Sequence, residues 1–130
     1  MFVEYPDLRV AFLEGGYGWV PHFLWRLDKN WKGLRSQVPW LERPPSEYVR
    51  EQVWFASQPV EEPERPEHHS HLMEMMHAEE TLIFASDYPH WDGDSPAWGL
   101  PPMDDDLERA VRYENAQQLW DLPADPGDLA

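Results

Sequence analysis

Asp87, His90, Asp92 and Asp94 crowd into one short loop, directly after the apolar run Leu82-Ile83-Phe84-Ala85. Carboxylates and an imidazole are the groups that pass protons as general acids and bases, and they also serve as ligands for divalent ions. A carboxylate just past a buried strand stands at the C-terminal edge of a sheet, where α/β enzymes place their chemistry. Glu14 repeats the arrangement: it ends the run Leu8–Leu13 and precedes Gly15-Gly16-Tyr17-Gly18, where the backbone must bend tightly or approach another group closely. Each residue also has a plainer reading. Asp87 would cap the next turn, Glu14 would bond the N–H groups of the glycine loop, and His90 would pack on Trp91.

Three apolar runs read as strands: Leu8–Leu13, Val53–Ala56 and Leu82–Ala85. Unbroken apolar runs bounded by turn residues indicate strands buried on both faces, hence a parallel sheet covered by helices. Val20, Phe23, Leu24, Leu27, Trp31 and Leu34 recur at helical spacing, with Pro21 in the first turn. A short helix opens at Pro44-Pro45-Ser46-Glu47, and helical patterns recur over 67–80 and from Asp104 to Trp120. Val60–Pro66, rich in Glu and Pro, reads as a solvated loop, and residues 123–130 as a flexible tail. Strand and helix alternate, the order of βα units.

The chain has 130 residues, 42% of them hydrophobic and 14% aromatic, which argues for one folded domain rather than disorder. Eight Trp are too many for a domain of this size to bury, so some line a surface or pocket. A net charge of -15 disfavours nucleic acid and anionic membranes as partners and suits metal ions. There is no cysteine, hence no thiolate metal site, which fits a cytoplasmic location. His68, His69, His71 and His77 have metal-like spacing but fall on a polar helix expected on the outside. Asp104, Asp105 and Asp106 lack the pattern of a calcium loop and read as an acidic helix start.

The segments FLEGGYGW, LWRLDKNW, PSEYVREQVWF, SQPVEEP, FASDYPHWD and ENAQQLW together resemble the C-terminal portion of the amidohydrolase superfamily, in the branch around aminocarboxymuconate-semialdehyde decarboxylase. The resemblance runs from Phe2 to Leu122. It implies a partial (β/α)8 barrel of α/β class, about the last three βα units, as one domain over residues 1–122. It also implies a divalent metal, usually zinc, at the C-terminal face. Asp87 matches the aspartate that ends the last strand of the family and ligates the metal or holds the attacking water. Glu14 stands where relatives carry a histidine acid/base, so a carboxylate replaces an imidazole. His90 and Trp91 become candidate contacts to a small-molecule substrate. The family's His-x-His pair and the histidine after its fifth strand belong to positions upstream of Met1. A complete barrel takes about 250 residues.

Two functional readings result. One is a segment of a metal-dependent hydrolase or non-oxidative decarboxylase, with Asp87 as metal ligand and catalytic group and Glu14 as auxiliary carboxylate. The other is a non-catalytic remnant or interaction subunit. Three strands with helices on one face would leave two strand edges and the barrel-interior face bare. The chain is therefore expected to pair with a complementary barrel half, to self-associate, or to be marginally stable.

Overall fold

The computed structural model describes residues 1–123, so the expected tail lies outside the described residues except for Pro123. Strand β1 (Val10–Phe12) leads through the glycine loop into helix α1 (Val20–Leu34). Pro21 sits in the first turn of α1, where a missing N–H removes no helical hydrogen bond. Val20, Leu24 and Trp31 are buried, but Phe23 and Leu34 are exposed, so the buried stripe is narrower than the spacing suggested. Helix α2 (Pro45–Gln52) runs directly into β2 (Val53–Ala56), whose four residues are all buried. Nε2 of Gln52 lies 3.1, 3.0 and 2.9 Å from the carbonyl oxygens of Tyr5, Pro6 and Leu8, which ties the N-terminal segment to this junction.

The helical pattern over 67–80 is two helices. α3 (Pro66–Met76) stops at His77, whose φ is 58°, and α4 (Ala78–Thr81) restarts before β3 (Leu82–Ile83). Thr81 Oγ1 lies 2.9 Å from the Met76 carbonyl and 3.0 Å from that of His77, so a buried hydroxyl serves oxygens at the break. The last helical stretch comprises α5 (Asp105–Arg109), a π-helical turn (Ala110–Glu114) and α6 (Asn115–Trp120). Asp104 caps it: its Oδ1 accepts from the Leu107 N–H at 2.9 Å.

The sheet has the order β1-β2-β3, all parallel, with Val10 opposite Val53, Phe12 opposite Phe55, and Phe55 opposite Leu82. All three C-terminal ends therefore meet at one edge, and the loops after Phe12, Ala56 and Ile83 converge there. Alternation along the strands assigns the two faces. Val53, Phe55 and Leu82 pack with Val20 and Leu24 of α1, Val49 of α2, Met73 and Met76 of α3, and Val111. Trp54, Ala56 and Ile83 point the other way and pack with Leu119, flanked by Ala11, Ala85 and Ala116. The second face, expected to be bare, is instead covered by α6, and Trp54 is only 1% exposed. Burying a side chain of this size contributes about 1.5–3 kcal/mol, which is the physical reason the helix folds over it.

The π turn makes this possible. In a regular helix the Asn115 N–H would bond the Val111 carbonyl, but here it bonds that of Ala110. The freed Val111 carbonyl accepts from the Phe84 N–H at 2.8 Å, closing the outer edge of β3 at that point. Buried Asn115 completes the joint: its Nδ2 donates to the carbonyls of Ala78 (3.1 Å) and Leu82 (2.8 Å). The outer edge of β1 has no strand neighbour among the described residues.

Candidate metal centre at the strand ends

The loop after β3 is folded on itself. The His90 N–H donates to the Asp87 carbonyl (2.8 Å), the Gly93 N–H to that of His90 (3.1 Å), and the Asp94 N–H to that of Ser86 (2.8 Å). Gly93 is required by this crossing, because a Cβ there would lie 2.8 Å from the Ser86 carbonyl oxygen. The end of β2 supports the loop from beside it. Ser57 Oγ accepts from the Ala85 N–H at 3.1 Å, and Gln58 Nε2 donates to the Asp92 carbonyl at 3.2 Å. Peptide bonds Gln58-Pro59 and Tyr88-Pro89 are both cis.

Asp87 has φ 53° and Glu14 has φ 54°, the left-handed region that a side chain rarely adopts unless its surroundings hold it there. Both conformations aim a carboxylate at the same place. One donor atom each from Glu14, Asp87 and His90 lies within 4.8 Å of the other two. Asp87 Oδ2 is 2.7 Å from His90 Nδ1, and the two side chains are 13% and 61% exposed. The hydrogen bond to Asp87 holds the His90 imidazole above its ordinary pKa; the charge of Asp87 and then those of Glu14 and Asp92 add to this. These residues line an open depression of about 500 Å³ with Gln58, Pro59, Trp91 and Asp92. Trp91, 96% exposed, stands at its rim.

The donor set fits a divalent cation. Two carboxylates and an imidazole would supply two oxygen ligands and one nitrogen, and a doubly charged ion would offset charge that the pair of carboxylates leaves partly uncompensated. Such an oxygen-rich set suits manganese as well as zinc.

Thus Glu14, Asp87, His90 and Trp91, singled out separately in sequence, all border one depression. Trp98 lies beside Glu61, His69 and Asp94 in a neighbouring cavity. His69 is buried, with Nε2 3.0 Å from the Tyr17 hydroxyl, and burial lowers its pKa and raises that of Tyr17 to about 12. Burial also raises the pKa of Asp94, and its Oδ2 is enclosed without a hydrogen-bond partner among the described residues. The plainer reading of Glu14 is corrected in one respect: the glycine-loop N–H groups of Tyr17 and Gly18 bond Glu61, not Glu14. Ser57, Gln58 and Glu61 were missed in sequence. The one signal was the glycine loop itself, which announced a close approach without naming the group approached.

Among solved structures, a 5-carboxyvanillate decarboxylase from Sphingomonas paucimobilis is similar over 94% of this chain and 36% of its own, at 20% identity and TM-score 0.61. An amidohydrolase from Mycobacterium avium subsp. paratuberculosis is similar over 91% of this chain and 29% of its own, at 25% identity and TM-score 0.66. A dihydroxybenzoic acid decarboxylase from Polaromonas, with bound manganese and the inhibitor 2-nitroresorcinol, is similar over 93% of this chain and 36% of its own, at 20% identity and TM-score 0.59. The chain thus spans about a third of the length of these structures, and its small parallel sheet corresponds to part of their barrels. A search of curated proteins found no match. The family model described as amidohydrolase matches residues 1–122, and the chain, with its carboxylate-bearing strand ends, belongs to the amidohydrolase family.

Proposed function

We propose that the chain carries the Asp87 corner of a metal-dependent amidohydrolase-type enzyme, a hydrolase or a non-oxidative decarboxylase acting on a small molecule. On this reading residues 1–122 form the sixth, seventh and eighth βα units of a (β/α)8 barrel. The observation that carries it is the convergence of Glu14, Asp87 and His90 within 4.8 Å at the C-terminal edge of a parallel sheet. Two of the similar structures are decarboxylases of aromatic carboxylic acids and one of these holds manganese, which favours that substrate class and a divalent ion.

Asp87 and Glu14 would hold the ion, with His90 beside them. When bound, the ion supplies Lewis-acid polarisation of an oxygen atom. Asp87 keeps a proton acceptor at Oδ2, and its bond to His90 Nδ1 places a transferable proton at the mouth of the depression. Trp91 offers a flat apolar surface against which an aromatic ring would stack.

A second reading, a non-catalytic or interaction subunit, is favoured by α6. Leu119 and Ala116 pack on Trp54 and Ile83, the face a complete barrel turns toward its interior. The open edge of β1, with exposed Phe12 and Leu13, would then meet a complementary barrel half or a second copy. No described helix is long and apolar enough to cross a membrane.

Titration of the purified chain with Mn²⁺ and Zn²⁺ tests the metal reading. One equivalent bound by the wild type and lost in Asp87→Asn supports it; absence of binding in the wild type refutes it. Decarboxylation of a hydroxybenzoate-type acid by the metal-loaded chain supports the catalytic reading, and a metal-loaded chain without turnover supports the second.

A further inference from the structure

We infer that Glu61 is a positioning residue for the metal centre, acting from outside it by holding the turn that presents Glu14; this rests on the cation-site reading above. Glu61 belongs to the Glu- and Pro-rich segment after β2 and is not one of the three clustered donors. Its Oε2 accepts from the backbone N–H groups of Tyr17, at 3.1 Å, and Gly18. On the other side of the turn the Trp19 indole N–H lies 3.1 Å from the carbonyl oxygens of both Gly15 and Gly16. Four consecutive residues after Glu14 thus have a backbone group engaged, and Glu61 reaches that backbone from a distant segment, as His69 reaches the Tyr17 hydroxyl.

The fit between carboxylate and turn is close. A Cβ on Gly18 would lie 2.6 Å from Glu61 Oε2, and one on Gly16 would lie 3.0 Å from Oε1. The glycines make the space that the carboxylate fills, which is the close approach their spacing foretold. Charge-assisted bonds from backbone N–H groups to a carboxylate are among the stronger hydrogen bonds. They act one and two residues after Gly16 (φ 61°) and three and four after Glu14, whose φ of 54° is a left-handed conformation that a side-chain-bearing residue keeps only when held. Released, Glu14 would leave the place where its carboxylate meets Asp87 and His90.

The test uses the full chain, with Mn²⁺ affinity measured by paramagnetic resonance of the free ion and amide hydrogen exchange read at Tyr17 and Gly18. Glu61→Ala is expected to weaken Mn²⁺ binding about tenfold, the size typical of residues that orient ligands, and to speed exchange at both amides. Glu61→Gln keeps an acceptor oxygen and should stay within about threefold of wild type. Gly18→Ala displaces the carboxylate without deleting it and should match Glu61→Ala; it carries the test if Glu61→Ala fails to fold. Glu62→Ala, the adjacent exposed carboxylate, should change neither readout. In Glu14→Gln, adding Glu61→Ala should weaken binding no further. Unchanged Mn²⁺ affinity in Glu61→Ala, with the two amides deprotected, overturns the inference and leaves the cation site standing. A wild type that binds no Mn²⁺ overturns both.

Discussion

Asn115→Ala tests whether α6 is held over the sheet in the way described. The side chain is 4% exposed and its Nδ2 reaches two carbonyls that precede it by 37 and 33 residues. Alanine removes both hydrogen bonds, at about 1 kcal/mol each, and leaves a small void that adds about 1 kcal/mol. The Ala78 carbonyl keeps the Leu82 N–H as a partner, so it is not orphaned and the larger penalty for an unpaired buried group does not apply there. The expected loss is about 3 kcal/mol, a large share of the roughly 5–15 kcal/mol that a domain has available. Urea unfolding followed by Trp fluorescence gives this number directly. Asn115→Asp is the sharper companion: it has the same shape but turns an acceptor toward two acceptors, and should cost more than alanine. Loss of the joint should also uncover Trp54 and raise binding of a hydrophobic dye. A stability within about 0.5 kcal/mol of wild type, with an unchanged urea slope, would refute the account of α6 as a lid on this face.

Burial lowers the pKa of His69 below its value in the unfolded chain, so the folded state binds the proton less readily. The contribution of this group is therefore complete above about pH 6.5 and is lost as pH falls through the depressed folded value; His69→Gln should flatten that part of the stability–pH curve. Trp54 Nε1 is enclosed without a hydrogen-bond partner among the described residues. Trp54→Phe removes the unpaired donor along with some area, and should cost under about 1.5 kcal/mol by thermal unfolding, against about 3–5 kcal/mol for Trp54→Ala. The Arg50 and Glu80 side chains form a two-bond ion pair at 2.6 and 2.7 Å but are 35% and 42% exposed. Arg50 lowers the Glu80 pKa, so the pair's contribution is present at neutral pH and lost as pH falls through the lowered value. Screening keeps it below about 1 kcal/mol, and Arg50→Met should shift stability by no more than that, with the difference shrinking at high salt.

Local chemistry was legible in the order of residues. Three apolar runs became three parallel strands, although the ladders are shorter than the runs, and Pro21, Pro45 and Asp104 mark helix starts where they were expected. The carboxylates Glu14 and Asp87 were visible as strand-end groups because the strand period and its stop signals are written in consecutive residues. What the order of residues left open was decided by contacts across long separations. Glu61 looks like one more charge in a solvated loop until it is seen against Tyr17 and Gly18, 44 and 43 positions earlier. Asn115 looks like an ordinary helical polar residue until the carbonyls of Ala78 and Leu82 are in reach. The left-handed conformations of Glu14 and Asp87 depend on surroundings that no local propensity encodes. The sequence by itself determined which groups the centre would be made from; the tertiary structure alone decided that they meet, because only packing between distant segments holds such conformations in place.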